Sequence, residues 1–109
     1  MSVPGIGQPA RGSTSGRPIM VALDALGRRG ALRLLSEQRG DPLTFRALQL
    51  ACDTNPGSLN TRIKELRALG IVAHSAGGYF LTDSGRGLMA AVGGLQAWAD
   101  DWAADIRRG

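Results

Sequence analysis

Pro56 constrains the fold more than any other residue, because it stands between two segments with helical apolar spacing. Apolar residues recur every three or four positions on both sides of it: Phe45, Leu48 and Cys52 before it, and Leu59, Ile63 and Leu66 after it. Proline fits the first turn of a helix and disfavours the helical conformation of the residue before it. We therefore expect a helix to begin at Pro56, with Asn55 as its N-cap and Thr54 as the second choice. Two helices with so short a connection predict a helix-turn-helix.

The rest of the chain supplies the other elements of a winged helix-turn-helix. Proline, glycine and capping residues indicate four helices in the first part of the chain: one from Pro18 to about Gly27, one over about 28–38, one capped by Thr44, and the one from Pro56 to about Gly70. Strand-like runs follow at 71–75 and 79–82, around a turn at 76–78. A last helix is indicated over about 83–107. This order predicts a mainly α fold with a small β-hairpin, as one domain over residues 18–109. Residues 1–17 hold four glycines and two prolines without apolar periodicity, so we expect a flexible N-terminal arm.

The helix that begins at Pro56 exposes side chains that suit a DNA major groove. Its apolar residues fix the inward direction, and about 100° per residue then places Gly57, Thr61 and Lys64 outside, with Ser58 and Asn60 at the flanks. Asparagine pairs with adenine, hydroxyls meet base edges or phosphates, and cations neutralise phosphates. We predict base reading by Ser58, Asn60 and Thr61, and phosphate contacts by Arg46, Arg62, Lys64 and Arg67. Taken alone, the helix is equally well explained as a solvated surface; its place in a helix-turn-helix favours DNA.

The charge distribution agrees with a nucleic-acid partner without establishing one. The net charge is +4, and residues 11–67 hold ten Arg or Lys against five Asp or Glu. The basic surplus therefore belongs to the segment with the DNA-reading candidates. The twelve arginines against one lysine also fit a GC-rich genome. The hairpin tip, residues 75–78, carries no arginine, so we expect little minor-groove contact from the wing.

No motif of an enzyme or a metal site occurs in the sequence. The single Cys52 and the single His74 cannot complete a zinc site, and one thiol cannot form an internal disulfide. We therefore predict no catalytic activity, no metal and no cofactor. No apolar run reaches the length of a membrane span, and the N-terminal residues lack the apolar core of a signal peptide. We expect no membrane partner and a cytoplasmic location.

The last predicted helix carries an apolar stripe that one small domain has little core to cover. The stripe steps alternately by four and three residues, as in a coiled-coil seam, and its members are Leu88, Val92, Leu95, Ala99, Trp102 and Ile106, widened by Trp98. We predict a homodimer through these residues, because leaving both tryptophans in water is unfavourable. The alternative is that the helix folds back onto the first helix of its own chain. Two copies place two reading helices one DNA turn apart, as a palindromic operator requires.

Three runs of the sequence resemble the HxlR-type branch of the winged helix-turn-helix transcriptional regulators. They are GSLNTRIKELRALGIV at 57–72, YFLTDSGRGL at 79–88 and LQAWADDW at 95–102. The resemblance spans about residues 18–106 and implies a homodimeric, sequence-specific regulator that binds double-stranded DNA. In the family pattern, Tyr79, Leu81, Thr82 and Gly85 lead into a dimerising helix that contains Trp98.

Two departures from that pattern leave the regulatory signal open. The family pattern often has a cysteine just before the first helix, where this chain has Arg17, and a tryptophan where it has Gly30. Cys52 is then either a thiol switch or a small buried hydrophobe. No pocket signature for a small-molecule inducer is legible in the sequence. A second function, a winged-helix module for protein–protein contact, is favoured by the short, uncharged wing tip.

Overall fold

The computed structural model describes residues 17–109 as five helices and one two-stranded antiparallel sheet. The elements in chain order are α1 (Pro18–Leu26), α2 (Ala31–Glu37), α3 (Phe45–Cys52), α4 (Pro56–Ala68), β1 (Val72–Ser75), β2 (Gly78–Leu81) and α5 (Asp83–Arg108). This confirms the mainly α fold with a small hairpin and a long C-terminal helix. The arm predicted over residues 1–17 lies outside the described residues except for Arg17, the N-cap of α1.

α2 begins three residues later than the sequence indicated, so this boundary of the prediction was wrong. Gly30 is the N-cap of α2, and its φ of +84° is a left-handed conformation that interrupts a right-handed helix. Arg28 and Arg29 consequently lie in the turn between α1 and α2. Arg28 pairs with Asp24 of α1 at 3.0 Å. The start of α2 is therefore preceded by a basic turn rather than by a further helical turn.

Side-chain caps start both helices of the helix-turn-helix, as the sequence predicted. Thr44 Oγ1 accepts a hydrogen bond from the amide of Ala47 at 3.1 Å, and Asn55 Oδ1 accepts one from the amide of Ser58 at 2.8 Å. Asp53 ends α3 in the left-handed conformation, with φ of +50°, which aspartate tolerates better than most residues. Each cap stabilises its helix by about 1 kcal/mol. Local hydrogen bonds thus fix where α4 begins.

The hairpin turn is shorter than predicted, and a third segment pairs with the hairpin. Ser75 lies opposite Gly78, so the turn holds only residues 76–77, and Gly78 belongs to β2 rather than to the turn. The φ of Gly78 is +120°, and a Cβ there would lie 2.4 Å from the carbonyl oxygen of Leu43, which only glycine avoids. Leu43 and Tyr79 exchange both backbone hydrogen bonds, at 2.9 and 2.7 Å. The wing is thereby tied to the segment just before α3.

One apolar core joins the helix-turn-helix to the hairpin and to the first part of α5. Its buried members are Leu34, Leu35, Leu48, Leu59, Ile63, Leu66, Ile71, Val72, Leu81 and Met89. The three apolar residues of α4 that were expected to point inward, Leu59, Ile63 and Leu66, are all buried in it. The predicted inward direction of α4 is therefore confirmed, and its opposite side is left to solvent.

Thr82 and Gly85 join the end of α4 to the start of α5. The Thr82 hydroxyl donates towards the carbonyl oxygens of Gly70 and Ile71, at 2.5 and 3.1 Å, and accepts from the amide of Gly85 at 3.0 Å. A Cβ on Gly85 would lie 2.2 Å from the Ile71 carbonyl oxygen. α5 therefore passes the connection between α4 and β1 at a distance that only glycine allows.

We expect Gly85→Ala to lower the free energy of unfolding by about 2–3 kcal/mol, because the added methyl group forces α5 away from the Ile71 carbonyl. Gly87→Ala is the matched control, since a Cβ at Gly87 would meet nothing within 4 Å. The control should raise the free energy of unfolding by about 0.5–1 kcal/mol through helix propensity. Urea denaturation followed by circular dichroism measures both, and equal effects would contradict the close approach.

Candidate nucleic-acid interface

α4 presents the polar face that the sequence predicted, opposite its buried stripe. The central residues of this face are all exposed: Gly57, Asn60, Thr61 and Lys64. A Schellman motif closes the far end of the helix, where the amide of Ile71 donates to Leu66 and the amide of Gly70 donates to Arg67, both at 3.0 Å. Gly70 has the left-handed φ of +75° that this motif uses. α4 is thus a helix of defined length with one side free.

The three predicted base-reading side chains, Ser58, Asn60 and Thr61, lie exposed on the first two turns of α4. The Thr61 hydroxyl donates to the carbonyl oxygen of Gly57 at 3.0 Å, so it offers a partner an acceptor. The side chain of Asn60 forms no hydrogen bond within residues 17–109. Its amide donor and its carbonyl acceptor are both available, and this is the pair of groups that recognises adenine.

The four predicted phosphate contacts differ in how freely their side chains extend. Lys64 and Arg67 are exposed on α4, and Arg46 is exposed in the first turn of α3. Arg62 is half-buried and ion-paired with Glu65, one turn further along α4. This agrees with its predicted position at the boundary of the core. Because a guanidinium has five N–H donors, the pair still leaves donors for a phosphate.

The wing tip carries no arginine or lysine in residues 74–79. Its turn consists of Ala76 and Gly77, and the exposed His74 ring lies 4.5 Å from the ring of Tyr79 across the hairpin, at an angle of 43°. This ring contact agrees with the interpretation of His74 as a surface residue of the strand. Little minor-groove contact from the wing stays a prediction.

A cavity of about 710 Å³ opens beside the start of α4, between the start of α2 and the α3–α4 turn. Three arginines line it, Arg29, Arg33 and Arg62, and we call it the arginine cavity. Arg62 was predicted as a phosphate contact, whereas Arg29 and Arg33 were missed. The sequence signal for Arg29 was the Arg28-Arg29 pair before Gly30, and no pattern singled out Arg33. Spacing along the chain, however, does not show that the start of α2 lies beside α4.

Cys52 lies half-buried in the wall of the arginine cavity. Burial raises the pKa of its thiol above the ordinary value, the carboxylate of Glu37 adds to the rise, and the guanidinium of Arg33 opposes it. The thiol is therefore protonated at neutral pH, whereas reactive cysteines are thiolates. This favours the interpretation of Cys52 as a small hydrophobe over a thiol switch.

α5 carries its apolar stripe from the domain core out into solvent. Leu88 and Val92 are partly buried and pack against the core of their own chain. Ala99 is half-buried, and the other members of the stripe, Leu95, Trp98, Trp102 and Ile106, are 52–58% exposed. The two indole rings stack with their centroids 5.4 Å apart and their planes 9° from parallel. The far half of the stripe is thus largely uncovered by the described residues.

The comparison with solved structures supports the fold read from these elements. The quinone-bound YodB from B. subtilis is similar to this chain, with a TM-score of 0.72 and 28% sequence identity, over 76% of this chain and 96% of that chain. No protein-family model and no curated protein matches the sequence. The chain has the winged-helix fold of DNA-binding regulators, and residues 17–109 form its five helices, its two-stranded wing and its long C-terminal helix.

None of the helices in residues 17–109 combines the length and the apolar character that crossing a bilayer requires. Over the same part of the chain, no three His, Cys, Asp or Glu side chains are grouped so that they could hold a metal ion. In this part of the chain, three surface features are candidates for function: the exposed face of α4, the arginine cavity and the uncovered half of the α5 stripe.

Proposed function

We propose that this chain is a homodimeric, sequence-specific regulator of transcription that reads a palindromic operator in the major groove through α4. The observation that carries the proposal is α4 itself, a helix capped at its start and buried on one side, within a winged-helix fold. Its exposed side fits a major groove about 12 Å wide. Base edges are contacted by Ser58, Asn60 and Thr61, and phosphates by Arg46, Arg62, Lys64 and Arg67.

In this proposal, the partner that covers α5 is a second copy of the chain. α5 has 26 residues and is about 39 Å long at 1.5 Å per residue, and its large apolar residues from Leu95 onward are exposed. Ile19 and Leu23 of α1 are further exposed apolar residues. A two-fold contact covers the same stripe on both copies, and burial favours it by about 25 cal/mol per Å² of apolar surface. Two α4 helices about 34–36 Å apart then meet successive major grooves.

We further propose the HxlR-type branch, on the motif resemblance of α4, of the strand before α5 and of Trp98. Two members of that pattern have a physical role in this fold. Thr82 caps α5 and donates to the connection between α4 and β1, and Gly85 allows the close crossing at Ile71. These two residues of the pattern therefore form a junction that orients α5, the proposed dimerising helix, relative to α4. No cofactor takes part in the proposed function.

A salt titration separates this function from a protein-contact module. Each phosphate contact contributes about −0.9 to the slope of log K against log salt, so four cations per protomer give a dimer a slope of about −7. Genomic SELEX with the purified protein would supply the duplex, and fluorescence anisotropy would measure its binding between about 50 and 200 mM salt. A steep slope supports DNA reading. Binding that responds neither to duplex nor to salt would leave the protein-contact module instead.

A further inference from the structure

The arginine cavity gathers three guanidinium groups beside the start of the helix proposed to read DNA. Arg29, Arg33 and Arg62 line it together with Asp53. Arg33 and Arg62 are ion-paired with Glu37 and Glu65, whereas Arg29 forms no ion pair within residues 17–109. Arg29 comes from the turn after α1, Arg33 from α2 and Arg62 from α4, so the fold brings them together. An anion bound in the cavity meets the unpaired charge of Arg29 and the N–H donors that Arg33 and Arg62 keep beside their carboxylate partners.

The arginine side chains differ in how firmly they are held. Arg33 is fixed, because its Nη2 donates to the carbonyl oxygen of Ala51 at the end of α3, at 2.6 Å, and its Nε donates to Glu37 at 3.0 Å. The exposed side chain of Arg29 forms no hydrogen bond and no ion pair within residues 17–109. Arg29 therefore offers all its donors to a ligand, next to a guanidinium that is already positioned.

The cavity lies on a flank of α4 that meets a wall of the groove when α4 enters it. At about 100° per residue, Ser58 and Arg62 stand between the exposed face centred on Thr61 and the buried stripe. Both residues line the cavity. A helix seated in a major groove has a sugar-phosphate strand along each flank. The strand on this side therefore passes the arginine cavity.

We propose that the arginine cavity binds a backbone phosphate of the DNA duplex, held jointly by Arg29, Arg33 and Arg62. This inference rests on the proposed function and adds Arg29 and Arg33 to its contacts. Guanidinium groups bind phosphate oxygens through paired N–H donors, and the start of α4 adds the positive end of a helix dipole. A phosphate held here fixes the orientation of α4 in the groove and carries no sequence information.

The test compares Arg29→Ala and Arg33→Ala with the matched control Arg39→Ala. Arg39 is exposed just beyond the opposite end of α2, and its variant loses the same charge. Each cavity variant weakens one jointly held phosphate per protomer, so the slope of log K against log salt should become shallower, by about 1.8 if a dimer releases both phosphates. Affinity should fall equally for operator and random duplexes. The control should leave both the slope and the affinity for either duplex unchanged.

Arg33→Ala also removes the hydrogen bond to Ala51, so circular dichroism must show that this variant is folded. Arg29→Ala removes no bond made within residues 17–109 and is the decisive variant. A wild-type slope in Arg29→Ala, with duplex binding by the parent protein intact, overturns the cavity proposal and leaves the proposed function standing. Absence of salt-dependent duplex binding in the parent protein overturns both.

A second arm distinguishes DNA phosphate from a free anion. Inorganic phosphate is titrated into the protein by calorimetry at constant ionic strength. Weak or no heat, together with the shallower duplex slope of Arg29→Ala, supports the backbone phosphate. Phosphate binding that is lost in Arg29→Ala while the duplex slope is unaffected would make the cavity a free-anion site, and the DNA assignment would be wrong.

Discussion

Lys64→Glu should abolish detectable binding to every duplex, operator and random alike. Lys64 is exposed on the α4 face that is proposed to enter the groove. The change replaces a cation by an anion in each protomer, and placing like charges against each other at an interface costs several kcal/mol. This free-energy cost exceeds the cost of losing one phosphate contact. Electrophoretic mobility shift with operator and random duplexes measures the effect, and Arg39→Glu, an equal charge change beyond the far end of α2, should bind nearly as the parent does.

Asn60→Ala should act on discrimination rather than on affinity in general. The Asn60 side chain has its donor and its acceptor available, and losing a bidentate contact to adenine removes about 1–3 kcal/mol of discrimination at each half-site. The ratio of operator to random affinity should fall about tenfold or more, while random-duplex binding stays the same. Together, Lys64→Glu and Asn60→Ala test a phosphate contact by Lys64 and a base contact by Asn60, on neighbouring turns of α4. Parental behaviour in both Lys64→Glu and Asn60→Ala would show that α4 is not the reading helix.

The predictable parts of this fold are those that short-range rules decide. Thr44 and Asn55 each cap a helix by bonding an amide three residues ahead, and Gly70 closes α4 through bonds to the last helical turn. A capping residue and its partners lie within a few positions, so the sequence contains the whole interaction. The same holds for the inward direction of α4, which the spacing of its apolar residues fixes.

The features that could not be predicted depend on contacts between segments far apart in the chain. Gly78 was assigned to the turn, but the carbonyl of Leu43 requires glycine in β2 at that position. The bond from Arg33 to Ala51, 18 residues along the chain, holds one wall of the arginine cavity. Spacing along the sequence carries no information about either approach. For the same reason, the division of the α5 stripe into a half that packs on its own core and a half that is exposed could not be drawn from its regular spacing.

Leu95→Asp should convert the protein to a monomer at concentrations where the parent is a dimer. Leu95 is more than half exposed where the uncovered part of the α5 stripe begins. A carboxylate there would be buried against the partner copy without a counter-charge, which is strongly unfavourable. Ala97→Asp is the matched control, because Ala97 is exposed about 200° around the helix from Leu95. Sedimentation velocity should give half the mass for Leu95→Asp and the dimer mass for Ala97→Asp.

Trp102→Ala probes the same contact by removing apolar surface instead of adding charge. It deletes one ring of the stacked pair with Trp98, and truncating a buried tryptophan costs about 3–5 kcal/mol, enough to raise the dimer dissociation constant by a hundredfold or more. A monomer carries one α4 and half the phosphate contacts, so its salt slope on the operator should fall to about half that of the parent. Unchanged mass in both Leu95→Asp and Trp102→Ala would exclude α5 as the interface. If a monomeric variant bound the palindromic operator with the salt slope of the parent dimer, the proposal that two α4 helices read the two half-sites would be wrong, even if α5 forms the dimer.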